Sequence, residues 1–403
     1  MPTSMLSFLL LTAMGAAPAD AWPGFRGDGD SVSQARSLPL EWGQDRHVAW
    51  TATIPGYGQS SPVVWRERVF VTSAEGEKKE QCIVTCYDLE TGKERWRKTF
   101  ASSEPAEVSD YISRAAPTPA VDADRVYAFF ETGNLVALDH QGNLVWERSL
   151  TKEYGKFLGN HGLGSSLALT TEAVIVLVDH DGPSYLLAID RTSGKTLWKV
   201  DRPQKVSWTS PIVSGSQIVV SSAGTCEAID AQTGKTVWRV EGLGGNTAPS
   251  ATVTPSHVIV GSSEVASNVS IRQGGEGDVS DSHIAWRSAQ ASATFSSPLV
   301  YQGCVYLVNR SGVAFCLDEK TGQTHWSHRL GEACWASPLG ARGRVYFFTK
   351  SGKAVVTEAS SKLNVLAENE LPTKPPVYGI AAVEGRILIR TGSQLTCIAE
   401  PTQ

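Results

Sequence analysis

Short apolar runs separated by turn residues follow one another along the whole chain, and this pattern favours strands over helices. Runs at 69–72, 126–129 and 345–348 are rich in branched and aromatic side chains, which is typical of buried β-strands. A Ser-Pro or Thr-Pro pair precedes them and is predicted to open the innermost strand of a four-stranded unit. These pairs are Ser61-Pro62, Thr118-Pro119, Ser210-Pro211, Ser297-Pro298 and Ser337-Pro338.

A second signature marks the turn between the third and fourth strands of each unit. The third strand ends in Asp, a Gly follows in the turn, and a Trp begins the returning strand. Asp can accept hydrogen bonds from turn amides and Gly supplies a positive φ, so the string predicts a β-hairpin. It recurs at 86–96, 137–146, 188–198, 228–238 and 316–326.

The number of units follows from the tryptophan that recurs in the fourth strand. A Trp that recurs at one structural position buries about 200 Å² between neighbouring units, so we interpret these side chains as blade anchors of the core. The anchors are Trp50, Trp96, Trp146, Trp198, Trp238, Trp286 and Trp326, and Leu366 is expected to take the position in a degenerate unit.

The two ends of the chain are expected to complete one unit together. The last three predicted strands, near 380, 387–390 and 395–398, lack a fourth partner, and the strand at 47–54 lacks the first three. Joining them removes the exposed sheet edges of an open stack. We therefore predict an all-β, eight-bladed β-propeller of four-stranded antiparallel blades over 41–399, with an extended segment at 22–40 and a tail at 400–403.

Composition and charge narrow the function. The chain has 403 residues, 41% of them apolar, and a net charge of −5 without a run of Lys or Arg. Such a chain is globular, and the charge argues against nucleic acid and against an anionic membrane surface as partners. No stretch of about 20 apolar residues is present, so we expect no membrane span.

The N-terminus predicts export. An apolar run at 6–13 is followed by small residues and by Ala19-Asp20-Ala21, which fits the cleavage site of a signal peptide at 1–21, although Lys and Arg are missing before the apolar run. No cysteine precedes Cys82, so we expect a periplasmic or secreted protein rather than a lipoprotein.

The seven cysteines of this chain are expected to be mostly free thiols, even though exported proteins often carry disulfides. Three of them, Cys86, Cys316 and Cys397, occupy the repeat position at which other units carry Ala137 and Ala188. A position shared by Cys and Ala is typical of small buried packing residues.

The repeated string resembles a known family. The copy at 228–238 reads Ala-x-Asp-x-x-Thr-Gly-Lys-x-x-Trp without a break, and it is similar to the tryptophan-docking repeat of the quinoprotein (PQQ-type) eight-bladed propellers. The resemblance covers residues 42–398. That family includes quinoprotein alcohol dehydrogenases and the non-enzymatic propeller lipoprotein of the outer-membrane barrel assembly machinery. The strings at 22–27, 274–278 and 367–371 are similar to exported PQQ-repeat proteins of planctomycete-type bacteria.

The resemblance implies pyrroloquinoline quinone and calcium for the enzymes of the family, but the residues here give that cofactor little support. The chain has no pair of adjacent cysteines, and we match none of its residues to the calcium ligands of the enzymes. Nucleophile elbows, metal-binding spacings and phosphate loops are missing as well. The Asp28-Gly-Asp30 sequence is interpreted as a solvated turn rather than a calcium loop. We predict no catalytic residue, no metal and no cofactor.

Insertions indicate which face of the propeller binds. Connections from strand 4 to strand 1 and from strand 2 to strand 3 share one end of the blades, here called the first rim; the other turns form the second rim. Extra residues at 73–81, 101–114, 151–163 and 179–184 all fall on the first rim, and insertions on one face favour a binding face. An insertion at 273–282 is expected to cover the second rim.

The first rim carries polar and aromatic residues that suit a polar ligand or a peptide. Each of them also has a structural interpretation, as a turn cap, a loop residue or a cover for the central channel. Two nearby carboxylates are expected to raise the pKa of His161 or His180. The candidates are Tyr111, Arg114, Asn160, His161, Asp179, His180, Asp181, Trp208, Trp335 and Tyr378.

Three function classes follow from these residues. We favour an exported, non-catalytic propeller, monomeric, that binds an envelope protein or a polar ligand, because function in this fold is set by loops rather than by the repeat. The alternatives are a PQQ-dependent oxidoreductase with calcium and a hydrolase or lyase that uses side chains of the first rim.

Overall fold

Each repeat of the sequence becomes one antiparallel sheet, and eight such sheets form the blades of a β-propeller. The computed structural model describes residues 21–44, 46–107, 113–159, 161–371 and 375–400. The predicted signal peptide therefore lies almost wholly outside the described residues. The predicted fold class is confirmed.

The first half of the chain supplies the N-terminal strands and blades 1 to 4. Strand β1 is Ala21–Trp22 and β2 is Val48–Thr53. Blade 1 contains β3 (Val63–Trp65), β4 (Arg68–Glu75), β5 (Gln81–Asp88) and β6 (Glu94–Ala101). Blade 2 contains β7 (Ala120–Val121), β8 (Arg125–Phe129), β9 (Asn134–Asp139) and β10 (Leu144–Ser149), followed by helix α1 (Leu150–Tyr154). Blade 3 contains β11 (Ala168–Leu169), β12 (Ala173–Val178), β13 (Ser184–Asp190) and β14 (Thr196–Arg202). Blade 4 contains β15 (Ile212–Ser214), β16 (Gln217–Ser222), β17 (Thr225–Asp230) and β18 (Thr236–Val240).

The second half supplies blades 5 to 8. Blade 5 contains β19 (Thr252–Val253), β20 (His257–Val260), β21 (Val269–Arg272) and β23 (Ile284–Arg287), with a 3₁₀ turn at Val265–Ser267 and an inserted β22 (Gly277–Asp278). Blade 6 contains β24 (Leu299–Tyr301), β25 (Cys304–Val308), β26 (Val313–Asp318) and β27 (Thr324–Arg329). Blade 7 contains β28 (Leu339–Ala341), β29 (Arg344–Phe348), β30 (Lys353–Glu358) and β31 (Val365–Glu370). Blade 8 contains β32 (Val377–Val383), β33 (Arg386–Thr391) and β34 (Gln394–Ala399).

The ring closes by pairing the two ends of the chain, as predicted. Strand β2 is the outer strand of blade 8 and pairs antiparallel with β34, with Trp50 opposite Cys397. The central strands of the blades are buried along almost their whole length. Apolar clusters lie between neighbouring blades, for example between blades 2 and 3. A closed ring of this kind gives every inner sheet face a neighbour to pack against.

A β-bulge positions the anchor residue of every blade. In blade 1 Cys86 pairs with Trp96 and the next residue, Tyr87, pairs with Glu94, so Arg95 is the extra residue. The same shift recurs beside the anchor of each other blade. In blade 7 it places Ala367 rather than Leu366 opposite Val356. The prediction of Leu366 as an anchor was wrong by one residue, because the bulge adds a residue that the pattern does not reveal.

Six of the seven anchor tryptophans donate a hydrogen bond to the hairpin of the following blade, and Trp238 Nε1 has no partner. The indole nitrogen of Trp50 donates to Leu89 O at 3.0 Å, and a side-chain carbon at Gly92 would lie 2.5 Å from the Trp50 ring. The same donation joins the anchors at 96, 146, 198, 286 and 326 to the carbonyls of residues 140, 191, 231, 319 and 360. Turn glycines are therefore needed both for their positive φ and for room beneath the indole.

The Asp of each hairpin organises its turn. Asp230 accepts hydrogen bonds from the Thr233 amide at 2.8 Å and from the Thr233 hydroxyl at 2.7 Å. These bonds hold the pKa of Asp230 below its ordinary value, because they favour the charged carboxylate.

The N-terminal segment 21–42 crosses the second rim and fills the channel mouth. Strand β1 pairs with β3 on the inner edge of blade 1, and Pro23 O accepts the amide of Val121 in blade 2. Gly29 lies against Ile212 of blade 4. Val32 pairs with Gly340 of blade 7, and the Ser33 hydroxyl donates to Ala382 O of blade 8.

Arg26 forms the centre of this segment. Its Nε donates to the Ser31 hydroxyl at 2.9 Å, and Nη1 donates to Ala251 O of blade 5 at 3.0 Å. Its Nη2 donates to the Thr252 hydroxyl and to Pro298 O of blade 6, both at 2.6 Å. Burial lowers the pKa of Arg26 to about 10, although the charge of Asp30 opposes this effect. The N-terminal segment therefore ties blades on opposite sides of the axis together.

The insertion at 273–282 does not lie where we predicted. Strand β22 pairs in parallel with the outer strand of blade 4, with Gly277 beside Trp238 and Asp278 beside Arg239. The insertion of blade 5 therefore covers the outer edge of blade 4 rather than the second rim. Trp238 is 0% exposed as a result, whereas Trp50 and Trp96 stay partly exposed. Backbone pairing to an open edge explains the difference.

All seven cysteines are buried and free. Burial raises the pKa of the Cys86 and Cys397 thiols to about 12. Cys304 differs, because a hydrogen bond with Cys316 lowers the pKa of the Cys304 thiol. The three cysteines that we assigned to one repeat position each pair with an anchor tryptophan.

Candidate functional site

The connection that carries Arg114 is held by buried polar contacts at the first rim. Lys79 and Glu131, 1% and 6% exposed, form an ion pair of 3.1 Å. Both oxygens of Glu131 accept the amide of Ala115, at 2.9 and 3.0 Å. The Arg114 amide donates to Gln59 Oε1 at 2.9 Å, and Arg114 O accepts from the Gln59 amide at 3.0 Å. These bonds fix the backbone of residues 114 and 115, and so the position of the Arg114 Cα atom.

Four residues from four connections meet Tyr378 of β32 at the mouth of the channel, and we call these five residues the aromatic ledge. The hydroxyls of Tyr57 and Tyr378 hydrogen-bond at 2.6 Å, and Tyr378 stacks on Trp335 with ring centres 5.2 Å apart. Arg114 Cζ lies 5.1 Å from the centre of the Tyr57 ring, and Lys350 Nζ lies 4.4 Å from the centre of the Trp335 ring. The rings thus form one surface with a cation at either end.

A buried arginine lies beneath the ledge. The Arg390 guanidinium is 0% exposed and donates to Gly58 O at 3.3 Å, Thr72 O at 3.2 Å and Gly392 O at 3.3 Å, but its Nη1 has no hydrogen-bond partner. Burial lowers the pKa of Arg390 to about 9. Burial and the Tyr378 hydroxyl raise the pKa of Tyr57. This side of the channel therefore carries positive charge.

Asp179 points into the protein rather than into solvent. It is 3% exposed, pairs with Arg202 at 2.9 Å and accepts the Ser222 hydroxyl. Arg202 also pairs with Glu227 at 3.0 Å. This buried network joins blades 3 and 4. The expectation that Asp179 lines a binding surface remains a prediction, and the geometry gives the side chain a full set of internal partners.

His180 is also buried, and it holds the loop around it. Its Nδ1 accepts the amides of Leu158 at 2.8 Å and Gly182 at 3.0 Å, and Nε2 lies 3.0 Å from Pro183 O. Two amide donors require an unprotonated Nδ1, so the ring is neutral with its proton on Nε2. Burial lowers the pKa of His180 despite the charges of Asp179 and Asp181. The expected rise in its pKa was wrong, because desolvation outweighs the carboxylates.

His161, Asp181 and Trp208 lie in other connections of the first rim. His161 and Asp181 are exposed, and the His161 ring lies 5.9 Å from the Trp208 ring. Trp208 donates to Gly162 O at 2.9 Å. Within the described residues, the structure therefore brings His161 and Trp208 together and, separately, Arg114, Trp335 and Tyr378. Tyr111 and Asn160 lie outside the described residues.

Sequence reasoning missed three residues at this site. Tyr57 and Lys350 lie in short connections without extra length, so the insertion criterion passes over them. Arg390 left a signal, because it is a charged residue at the end of the apolar run 387–389 in a predicted central strand. A charge in such a run indicates a buried, specifically bonded group.

The axis of the propeller is largely filled. Between the ledge and the N-terminal segment remains a cavity of about 20 Å³, lined by Trp22, Arg26, Trp335 and Tyr378 among others. A larger cavity of about 230 Å³ opens at the second rim beside Asp28, Asp30 and Thr254. Among the described residues no group of three His, Cys, Asp or Glu is placed to hold a metal ion.

The repeat register, the bulge and the closed ring agree with one family. A family model described as outer membrane protein assembly factor BamB matches residues 41–157, 155–315 and 278–366. This chain belongs to the PQQ-repeat propeller family. A BamB from Alkalilimnicola ehrlichii, named as an outer membrane protein assembly factor, is 27% identical over 165 residues, which are 41% of this chain and 38% of the relative. The chain therefore matches well under half the length of that relative.

Solved structures of the family show the same fold at low sequence identity. BamB from Moraxella catarrhalis has a TM-score of 0.65 at 14% identity, over 88% of this chain and 98% of that chain. Quinohemoprotein alcohol dehydrogenase from Comamonas testosteroni has a TM-score of 0.68 at 14% identity, over 96% and 82%. A europium-containing methanol dehydrogenase has a TM-score of 0.65 at 11% identity, over 93% and 90%. At such identities the likeness shows the fold alone.

Helices of this family member are short. In the parts of the chain that the structure describes, we find no helix with the length and apolar character needed to cross a bilayer.

Proposed function

We propose that this protein is an exported, non-catalytic scaffold of the cell envelope that binds a protein partner through its first rim. One observation carries the proposal: the N-terminal segment and the aromatic ledge fill the axis and leave a cavity of about 20 Å³ between them. A cavity of that size holds no more than about one water molecule. The larger cavity of about 230 Å³ opens at the second rim, outside this space, so the axis between the ledge and the N-terminal segment holds no small-molecule site. The exposed first rim, which carries most of the insertions, suits a macromolecular partner better.

The family supports the same proposal. The relative that matches by sequence is named as an assembly factor of outer membrane proteins, and assembly factors act by contact with other proteins. For this chain, envelope location and a protein partner are the corresponding proposals. The described parts of two insertions, at 101–107 and at 151–159, add exposed residues to the first rim.

A capture experiment with matched variants tests the proposal. The tagged protein is cross-linked in its native envelope and compared with His161→Ala, Asp181→Ala and a Glu276→Ala/Asp278→Ala variant at the outer edge of blade 4. His161 and Asp181 are exposed, so their truncation should change the free energy of unfolding by less than about 0.5 kcal/mol. We expect capture of the partner to be lost in those two variants and kept in the double variant.

Other results would point elsewhere. Loss of capture only in the double variant would move the binding face to blade 4, and unfolding of the rim variants would make His161 and Asp181 structural. The oxidoreductase alternative rests on the likeness to quinohemoprotein and methanol dehydrogenases. Adding pyrroloquinoline quinone and calcium to the purified protein and recording its visible spectrum tests that alternative, and a bound quinone spectrum would favour it.

A further inference from the structure

The aromatic ledge has a local excess of positive charge in a chain whose net charge is −5. Lys350 is exposed, and its ammonium lies over the Trp335 ring rather than beside a carboxylate. Arg390 lies beneath with three carbonyl acceptors and one nitrogen without a partner. Among the described residues, neither cation has a carboxylate within 4.0 Å. A desolvated cation without a counter-charge is costly and creates a strong local potential.

Two carboxylates that bond the residues next to Arg114 and Lys350 are engaged by other groups. Glu131 is occupied by Lys79 and by the Ala115 amide. Glu332 accepts the amide of Ser351, next to Lys350, at 2.7 Å. Glu332 keeps its negative charge, but among the described residues it forms no ion pair with Lys350, so the Lys350 ammonium is available to a ligand.

The rings and cations are held in a fixed arrangement. The Lys350 amide donates to Ala333 O at 2.9 Å, and Lys350 O accepts the Val377 amide at 3.0 Å. These bonds fasten the base of Lys350 to the connection that carries Trp335 and to the strand that carries Tyr378. The two tyrosine hydroxyls lock the rings to each other. A ligand would meet a preorganised surface, which reduces the entropy lost on binding.

We propose that the aromatic ledge binds an acidic segment of the protein partner, with a carboxylate at Lys350 and an apolar or aromatic side chain on the exposed parts of the Trp335 and Tyr378 rings. This inference rests on the proposed scaffold function and names the chemistry of its partner. Charge complementarity selects the occupant: a basic segment would meet like charge, and an uncharged one would leave Lys350 and Arg390 uncompensated.

A pair of labelled peptides tests the inference. A fluorescein-labelled octapeptide of alternating Glu and Phe is titrated with the intact protein and followed by fluorescence anisotropy, beside a peptide in which every Glu is Lys. We expect binding of the acidic peptide only, weakening as salt rises. Lys350→Glu should weaken it at least about tenfold. The matched control is Lys362→Glu, the same charge change on an exposed residue of the same blade at the second rim.

Several results would overturn the inference. Equal binding of the two peptides, unchanged affinity in Lys350→Glu, or an equal loss in Lys362→Glu would each show that the ledge does not select a carboxylate. Benzene tricarboxylate serves as a small planar competitor. If it binds with the same dependence on Lys350 while the acidic peptide does not bind, the occupant is a small anion. Melting curves of each variant confirm that the fold is intact.

The two proposals fail separately. Suppose that His161→Ala abolishes capture of the partner, but Lys350→Glu leaves peptide affinity unchanged. The scaffold function would then stand, and the aromatic ledge would not be its site for an acidic segment. In the opposite case, Lys350→Glu weakens peptide binding, but no partner is captured from the envelope through the first rim. The ledge would then still be a site for acidic segments, and the scaffold function would be wrong.

Discussion

The two rims of the propeller are completed in opposite ways. At the second rim the chain seals itself, because the segment 21–42 pairs with inner strands and places Arg26 among the carbonyls of blades 5 and 6. At the first rim, connections of variable length leave partly exposed rings and cations. At the second rim every side-chain nitrogen of Arg26 donates a hydrogen bond, although the indole nitrogens of Trp22 and Trp42 have no partner. At the first rim Lys350 is exposed and Arg390 keeps one nitrogen without a partner, so these two cations are available for binding.

Two buried arginines show the contrast most clearly. All three side-chain nitrogens of Arg26 donate hydrogen bonds, to acceptors at 2.6 to 3.0 Å. Arg390 has longer bonds of 3.2 and 3.3 Å, and one of its nitrogens has no partner. Burial lowers the pKa of both, to about 10 and about 9. The better-bonded arginine belongs to the sealed rim.

The largest effect is expected from removing the seal and the closing strand together. Deleting the chain through Trp50 removes β1, the Arg26 contacts and the part of β2 that carries the anchor of blade 8. We expect the whole domain to unfold cooperatively at much lower denaturant, with a loss comparable to the 5–15 kcal/mol of a typical domain. Urea unfolding followed by circular dichroism measures this loss. A chain that begins at residue 21 is the control, and an unchanged transition in the longer deletion would remove the closure argument.

A single substitution at the second rim should lower the free energy of unfolding less than this deletion, but still substantially. Arg26→Met keeps the apolar stem, removes the Arg26 donor from Ala251 O and takes one of two donors from Pro298 O, which also accepts the Thr252 hydroxyl. The loss of these buried bonds should cost about 3 kcal/mol in the free energy of unfolding. Arg36→Met is the matched control, since the Arg36 side chain is 88% exposed. Peptide binding at the ledge should not change. Equal stability of the two variants would contradict the assigned role of Arg26.

The smallest effect is a local response to pH at the first rim. The pKa of His180 is lowered in the folded state, so the ring stabilises its loop at pH values above its ordinary pKa of about 6.5, and this stability is lost as pH falls. Protonation of Nδ1 would break the bonds from the Leu158 and Gly182 amides. We expect hydrogen-exchange protection of these two amides to fall on acidification.

A conservative variant sharpens that measurement. His180→Asn keeps an acceptor near the position of Nδ1 but does not titrate in this range, so protection of the two amides should become independent of pH between about 5 and 8. Protection that falls equally in both proteins would assign the response to another group.

The repeat made the fold predictable, because strand patterns, hairpin signals and anchor residues recur and reinforce one another. The position of Leu366 and the path of the insertion 273–282 were mispredicted for a shared reason. A bulge and a parallel edge pairing depend on backbone contacts between segments, and neither leaves a pattern of side chains. The segment 22–40 shows no strand alternation, so its passage over the second rim was also invisible.

The candidate site was predictable only in part. Arg114, Trp335 and Tyr378 were found because aromatic and charged residues in connections are visible in a sequence. Asp179 and His180 look the same by that criterion, yet both are buried and hold internal partners. Their burial depends on Arg202 and on residues 157–158, whose contacts follow from the packing of blade 3 rather than from local sequence.

The path of the first residues also sets the order in which this protein can mature. Strand β2 and the N-terminal segment leave the ribosome before any blade exists, yet their partners include β34 and the strands of blades 7 and 8. Strand β1 can pair with β3 once blade 1 exists, but β2 and residues 32–33 can dock only when blades 7 and 8 have been made. Until then the blades already made do not form a closed ring, and β2 has no strand to pair with. Closure of the ring therefore depends on the last blade, since a chain truncated before residue 377 lacks β34, the strand with which β2 pairs.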